Sequence, residues 1–196
     1  MRSEAPAVAP YLRSQTQARL LAELLLHPEV GRSVTQLAEL LEAPQSVISK
    51  EVHRLVEANV LADERVGRTR IVRANQEYRL WQPLTQILAA TFGSVPVMTR
   101  LLTGVAGIDE AYIYGSWAAR FLGETGGQPG DVDVLVVGTP DRAVLNEVTV
   151  AAERELGVPV QISRVSNKAW AQQREPFIRT VKQRPLVKLE LTKETS

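Results

Sequence analysis

The sequence contains no cysteine. A disulfide framework, a thiolate metal site and a cysteine nucleophile are therefore excluded. A strong excess of one charge is also missing, because 23 basic and 22 acidic residues leave a formal net charge of +1. This balance neither requires nor excludes a nucleic-acid partner, so any basic binding surface has to be local.

Long apolar segments are missing as well. The first ten residues have no hydrophobic run of signal-peptide length, and no run of about 18 apolar residues occurs. The sequence thus predicts a cytoplasmic protein without a membrane partner, whose residues 1–13 form a flexible arm. The 196 residues, 44% of them hydrophobic and 23% charged, suffice for one large domain or two small ones, and we favour two.

The first half of the chain has the pattern of three short helices. Residues 14–27 are rich in strong helix formers and end before a proline. Ser33 and Gln36 form a capping-box pattern that opens a second helix. Pro44 opens a third helix, which is expected to run to about Ala58. Its polar face carries Gln45, Ser46, Ser49, Lys50, His53 and Arg54.

Two short strands follow, residues 60–66 and residues 69–74, joined by Gly67 and Arg68. The hairpin carries four arginines, Arg65, Arg68, Arg70 and Arg73. A charged edge that discourages strand pairing is one interpretation of this cluster. We favour DNA binding, because the arginines come directly after a helix with a polar outer face.

Three helices followed by a basic hairpin resemble the winged helix-turn-helix domains of ArsR- and MarR-type regulators. The resemblance covers residues 14–78 and implies that the third helix enters the major groove of double-stranded DNA while the hairpin contacts the backbone or minor groove. It implies that the DNA-binding residues are Gln45, Ser46, Ser49, Lys50 and Arg54 on the helix and Arg68 and Arg70 at the hairpin tip. The metal-sensing members use cysteine or histidine clusters, which this sequence lacks. Such domains usually act as dimers, so we expect a homodimer, with residues 79–106 as a helical linker and dimerisation segment.

The second half is organised around a Gly-Ser turn and a pair of aspartates. A strand over residues 108–114 ends at Gly115 and Ser116, where glycine lets the backbone approach an anion and a helix start supplies free N–H groups. Asp131 and Asp133 open a later apolar strand, and alternation places both carboxylates on one face. Two aligned carboxylates suit Mg²⁺, which keeps its other positions for water and phosphates.

This pattern resembles the minimal nucleotidyltransferases of the DNA polymerase beta superfamily. The resemblance covers residues 107–196. It implies that Gly115 and Ser116 bind the nucleotide and that Asp131 and Asp133 are the catalytic carboxylates that hold Mg²⁺. Active members usually place a third carboxylate on a later strand, but the corresponding strand, residues 158–165, directs Gln161 and Ser163 toward the site.

The fold class predicted from these patterns is α+β, with an N-terminal winged helix-turn-helix followed by a nucleotidyltransferase-like mixed sheet with flanking helices. The leading functional hypothesis is a DNA-binding transcriptional regulator whose second domain binds a magnesium nucleotide, either as a sensor or as a degenerate enzyme. The alternative is an active nucleotidyltransferase that transfers a nucleoside monophosphate to a protein, nucleic-acid or small-molecule hydroxyl. In that case the first domain would recruit the acceptor. A pair of domains in which neither site is occupied is the third possibility.

Overall fold

The structure is a computed structural model that describes residues 12–125 and 129–192. The chain divides into two compact units, Met1–Gly93 and Ser94–Ser196. Helices and β-sheets occur in both units, and the predicted α+β class is confirmed. No helix within the described residues combines the length and the apolar character needed to cross a membrane.

The N-terminal unit is a group of helices with a small antiparallel sheet. Its elements are α1 (Gln15–Leu26), β1 (Arg32–Ser33), α2 (Val34–Leu40), α3 (Gln45–Glu57), β2 (Leu61–Val66), β3 (Thr69–Ala74) and α4 (Trp81–Phe92). The strand order is β1-β3-β2, and β2 and β3 form the predicted hairpin. The sequence did not predict β1, which has only two residues.

Side-chain caps and left-handed residues set the ends of these helices. The Ser14 hydroxyl accepts a hydrogen bond from the Gln17 amide at 3.1 Å, and the predicted capping box between Ser33 and Gln36 is present on α2. After α3 the chain turns through Asn59, whose φ of 58° lies in the left-handed region that asparagine tolerates. Each of these signals can be read from the sequence, so the predicted helix boundaries agree closely with the observed ones.

The N-terminal core is aliphatic. Its fully buried members on α1 are Leu20, Leu24 and Leu25. On α3 the buried side chains are Ile48, Val52 and Leu55. Because these three follow the helical period, the opposite face of α3 is turned to solvent.

The C-terminal unit is a four-stranded mixed sheet flanked by helices. Its elements are α5 (Ser94–Leu102), β4 (Ile108–Tyr114), α6 (Gly115–Phe121), β5 (Val132–Gly138), α7 (Arg142–Leu156), β6 (Val160–Val165), α8 (Asn167–Gln172), α9 (Pro176–Lys182) and β7 (Val187–Leu189). The strand order is β6-β5-β4-β7. The strands β5 and β6 are parallel, as a crossover through α7 requires, and the other pairs are antiparallel.

The two faces of this sheet pack against different helices. Val132, Val134 and Val136 of β5 belong to a core with side chains of α5 and α7. The alternate residues Leu135 and Val137 belong to a second core with side chains of α8 and α9. Alternation therefore places Asp133 on the face that α8 and α9 cover in part.

The predicted arm and the predicted linker differ from the observed elements in their extent. Residues 1–11 of the predicted arm lie outside the described residues, as do Gly126 and Gly127 in the segment between α6 and β5. The predicted linker, residues 79–106, contains α4, which belongs to the N-terminal unit, and α5, which belongs to the C-terminal unit.

Candidate functional site

The carboxylate pair lies at the start of β5. Asp131 immediately precedes the strand and Asp133 is its second residue, and both side chains are partly exposed. Burial raises the pKa of Asp133, and the negative charge of Asp131 raises it further. The two carboxylates thus lie close enough to repel each other, and a cation between them would remove that repulsion.

The Gly-Ser turn lies directly against Asp133. Tyr114, the last residue of β4, pairs with Asp133 across the sheet, so Gly115 follows at the level of the carboxylate. Gly115 has φ = 75°, and a Cβ atom added to it would lie 2.5 Å from Oδ2 of Asp133. Glycine adopts this conformation without strain, and any side chain at this position would displace the carboxylate of Asp133. The predicted neighbours Gly115 and Asp133 are therefore together, and Ser116 is exposed beside them.

An amide lies beside Asp133 on the next strand, at the position where the resemblance predicted that a third carboxylate is missing. Gln161 of β6 pairs with Asp133 in the parallel register, and Ser163 pairs with Leu135. Gln161 is exposed on the face of the sheet that carries Asp133. Among the described residues there is no group of three or more histidine, cysteine, aspartate or glutamate side chains that could hold a metal ion. The carboxylate donors at this site are thus the two aspartates.

Tyr114 is a further neighbour of this site, and the sequence did not predict it. Burial raises the pKa of its phenol, a hydrogen bond with Ser163 lowers it, and the charges of Asp133 and Asp131 raise it again. The phenol therefore lies within the electrostatic influence of both carboxylates. The proximity of Tyr114 to Asp133 depends on the register between β4 and β5, so the sequence holds no local signal for it.

The predicted DNA-binding residues of α3 differ in exposure. Gln45, Ser46, Ser49 and Lys50 are exposed. Arg54 is partly buried, and its guanidinium pairs with Glu51 one turn earlier on the helix. The first two turns of α3 therefore present polar side chains to solvent, whereas the guanidinium of Arg54 already has a carboxylate partner.

The hairpin arginines also fall into two groups. Arg70 pairs with Asp63 at 2.6 Å, and Arg73 pairs with Glu64. Arg65 and Arg68 are exposed and, within the part of the chain that the structure describes, form no ion pair. Gly67 and Arg68 make the turn between β2 and β3, and Gly67 has φ = 62°. The most accessible positive charge of the hairpin is therefore at and near its tip.

The carboxylate pair with its Gly-Ser turn suits a metal ion that carries phosphates, whereas α3 with its hairpin suits a polyanion. A pair of carboxylates beside a close backbone turn provides oxygen ligands for a hard cation such as Mg²⁺, with positions left for phosphate oxygens. An exposed polar helix face followed by a basic hairpin provides contacts for a polyanion. No model of a known protein family, no curated protein and no solved structure matches this chain.

Proposed function

We propose that this chain is a DNA-binding transcriptional regulator of the winged helix-turn-helix type whose C-terminal unit binds a magnesium nucleotide. The proposal depends above all on the contact between the Gly-Ser turn and the carboxylate pair. A Cβ atom added to Gly115 would lie 2.5 Å from Oδ2 of Asp133, so a side chain there would displace the carboxylate. The backbone of Gly115 therefore lies close enough to the carboxylates for one ligand, a metal ion with its phosphates, to contact both.

Mg²⁺ fits the donors present. Asp131 and Asp133 would hold the ion, and its charge would offset both the repulsion between the carboxylates and the negative charge of the phosphates. The exposed hydroxyl of Ser116 and the backbone at Gly115 would contact the phosphate oxygens. The resemblance to minimal nucleotidyltransferases supports the same assignment of these four residues.

We infer nucleotide sensing, or a degenerate activity, rather than efficient transfer. Gln161 pairs with Asp133 where an active family member would carry its third carboxylate. An amide does not accept a proton from an attacking hydroxyl, and loss of a general base typically costs about 10²- to 10⁴-fold in rate. Positioning and charge neutralisation by the metal would remain.

Exposed polar and basic groups support DNA as the partner of the N-terminal unit. The polar face of α3 and the tip of the hairpin are both accessible to solvent. In a winged helix the third helix reads the major groove, and a basic hairpin contacts the backbone beside it. The side chains best placed for base and phosphate contacts are Gln45, Ser46, Ser49, Lys50 and Arg68.

Thermal denaturation of the full chain tests the nucleotide part of this proposal. Magnesium with a nucleoside triphosphate should stabilise the wild-type protein, by about 2.7 kcal/mol at a ligand concentration of 100 Kd. Asp131→Ala should remove this effect. Asp109→Ala is the matched control, since Asp109 is an exposed aspartate near the opposite end of β4. Equal stabilisation of the wild type and Asp131→Ala would contradict the metal assignment.

Label transfer separates a sensor from the alternative, an active nucleotidyltransferase. The protein would be incubated with magnesium, each α-labelled nucleoside triphosphate and cell extract, beside the Asp131→Ala, Asp133→Ala double variant. We expect no labelled acceptor above the level of the double variant. Label that requires both aspartates would instead identify an enzyme, with the N-terminal unit as its targeting module.

A further inference from the structure

Phe177 presents an aromatic ring on the carboxylate face of the sheet. It lies in the first turn of α9, between Pro176, the first residue of that helix, and Ile178, which is fully buried. Its neighbours therefore fix the backbone, yet Phe177 itself is 40% exposed. An aromatic ring held at the surface by a buried neighbour is a preformed apolar surface.

The ring of Phe177 is also close to the candidate nucleotide site. It contacts Tyr114 edge to face, with the ring centroids 5.9 Å apart and the planes at 79°. Tyr114 in turn pairs with Asp133 in the sheet and directly precedes Gly115. The ring of Tyr114 thus lies between Phe177 and Asp133. The pKa of the Tyr114 phenol, raised in part by the charges of Asp133 and Asp131, reflects the same proximity.

We propose that Phe177 stacks against the base of the nucleotide whose phosphates are held at Asp131, Asp133 and the Gly-Ser turn. This inference rests on the proposed magnesium-nucleotide function and adds a base subsite to it. The ligand class is a nucleoside triphosphate, since the phosphates would occupy the metal site and the base the adjacent apolar surface. Stacking on an aromatic face accepts every base, because each base has a π-face. Phe177 therefore contributes affinity for nucleotides with little selection among bases.

Two ligands separate the base subsite from the phosphate site. The full chain would be titrated with magnesium and ATP, and separately with magnesium and inorganic tripolyphosphate, which has no base. We expect Phe177→Ala to weaken ATP binding about tenfold to a hundredfold, the range for loss of one stacked base. Tripolyphosphate binding should not change. Phe177→Trp, which keeps an aromatic face, should bind ATP at least as well as the wild type.

Phe121→Ala is the matched control. Phe121 is 56% exposed and belongs to the same unit, but its ring stacks on Trp117, with the centroids 5.0 Å apart. Its removal should leave the affinity for both ligands unchanged. Retained tripolyphosphate binding by Phe177→Ala also shows that this variant is folded at the phosphate site.

Three results would overturn the base subsite. The first is equal ATP affinity in the wild type and Phe177→Ala, with tripolyphosphate bound normally, which leaves the proposed function intact. The second is equal loss of ATP and tripolyphosphate binding in Phe177→Ala, which assigns the residue a structural role. The third is a wild-type protein that binds neither ligand in the presence of magnesium, which removes the proposed nucleotide function as well.

Discussion

Asp133, a proposed metal-binding residue, lowers the stability of its own fold when it is ionised. Burial and the charge of Asp131 both raise its pKa, so the folded chain holds this proton more tightly than the unfolded chain does. Below the unfolded pKa the group is protonated in both states and carries no penalty. As the pH rises through the raised folded pKa, the ionised carboxylate destabilises the fold. At neutral pH, a bound cation would offset this penalty.

Asp133→Asn should therefore raise the thermal midpoint of the metal-free protein at pH 7 by a small amount. The difference from the wild type should shrink as the pH falls toward the ordinary aspartate pKa of about 4. Asp133 of the wild type is then protonated, and so uncharged, in both the folded and the unfolded state. The same variant should lose stabilisation by magnesium and nucleoside triphosphate. Denaturation across this pH range, with and without ligand, measures all three effects. A lower midpoint at pH 7 without ligand would show that the carboxylate stabilises the fold instead.

Substitution of Gly115 tests whether the Gly-Ser turn takes part in ligand binding. Gly115→Ala adds a Cβ atom at 2.5 Å from Oδ2 of Asp133 in a residue with φ = 75°. Gly104 has nearly the same conformation, φ = 79°, and no atom within 4 Å of an added Cβ atom. Both substitutions should cost about 1–2 kcal/mol for the left-handed conformation. Only Gly115→Ala should also abolish binding of magnesium and nucleotide, as measured by titration. Equal ligand binding by the two variants would separate the turn from the site.

At the scale of elements, the hairpin of β2 and β3 divides its arginines between ion pairs and solvent. Arg73 pairs with Glu64, whereas Arg68 lies at the turn without an ion-pair partner among the described residues. An arginine that must break an ion pair before it can contact a phosphate contributes less to the free energy of DNA binding. We therefore expect the unpaired arginine at the turn to contribute more than the paired ones.

Arg68→Ala should weaken binding to double-stranded DNA and should reduce the slope of log affinity against log salt concentration by about 1. Arg73→Ala should have a smaller effect on both quantities, because Arg73 is already paired in the free protein. Titration of labelled DNA at several salt concentrations measures the slope. A larger loss for Arg73 than for Arg68 would mean that the hairpin ion pairs open when DNA binds.

Features that depend on residues close together in the sequence could be predicted. Features that depend on contacts between residues far apart in the sequence could not. The capping box of Ser33 and Gln36 is a local feature, and the structure agrees with that prediction. The side-chain cap at Ser14 and the left-handed residue Asn59 are findings of the structure, and they too lie at the ends of predicted helices. The two-residue strand β1 forms only because Ser33 and its neighbour pair with β3. The ring contact between Tyr114 and Phe177 joins residues that are distant in the chain, so no local pattern contains it. Asp131 and Asp133 are two residues apart, so their position on one face could be predicted from local alternation, whereas the ring contact of Phe177 could not.

At the scale of the whole molecule, each unit closes a core of its own. Leu24 is fully buried in the N-terminal core, and Ile113 is fully buried in a core of the C-terminal unit. The polar face of α3 depends on the first core, and the carboxylate strand β5 depends on the second. Two separate cores provide a physical basis for the two separate binding functions that we propose for this chain.

Leu24→Ala should therefore weaken DNA binding while leaving the affinity for magnesium and nucleotide unchanged, and Ile113→Ala should have the opposite pattern. Each substitution removes a fully buried aliphatic side chain, which costs about 2–5 kcal/mol in a core. Val150→Ala is the control, since Val150 is 67% exposed and its truncation should change neither affinity. Titration of the three full-length variants with labelled DNA, and separately with magnesium and nucleotide, gives both readouts. If either core substitution abolished both activities, the two units would fold as one cooperative system. A nucleotide bound to the C-terminal unit would then also stabilise the DNA-binding surface of the N-terminal unit.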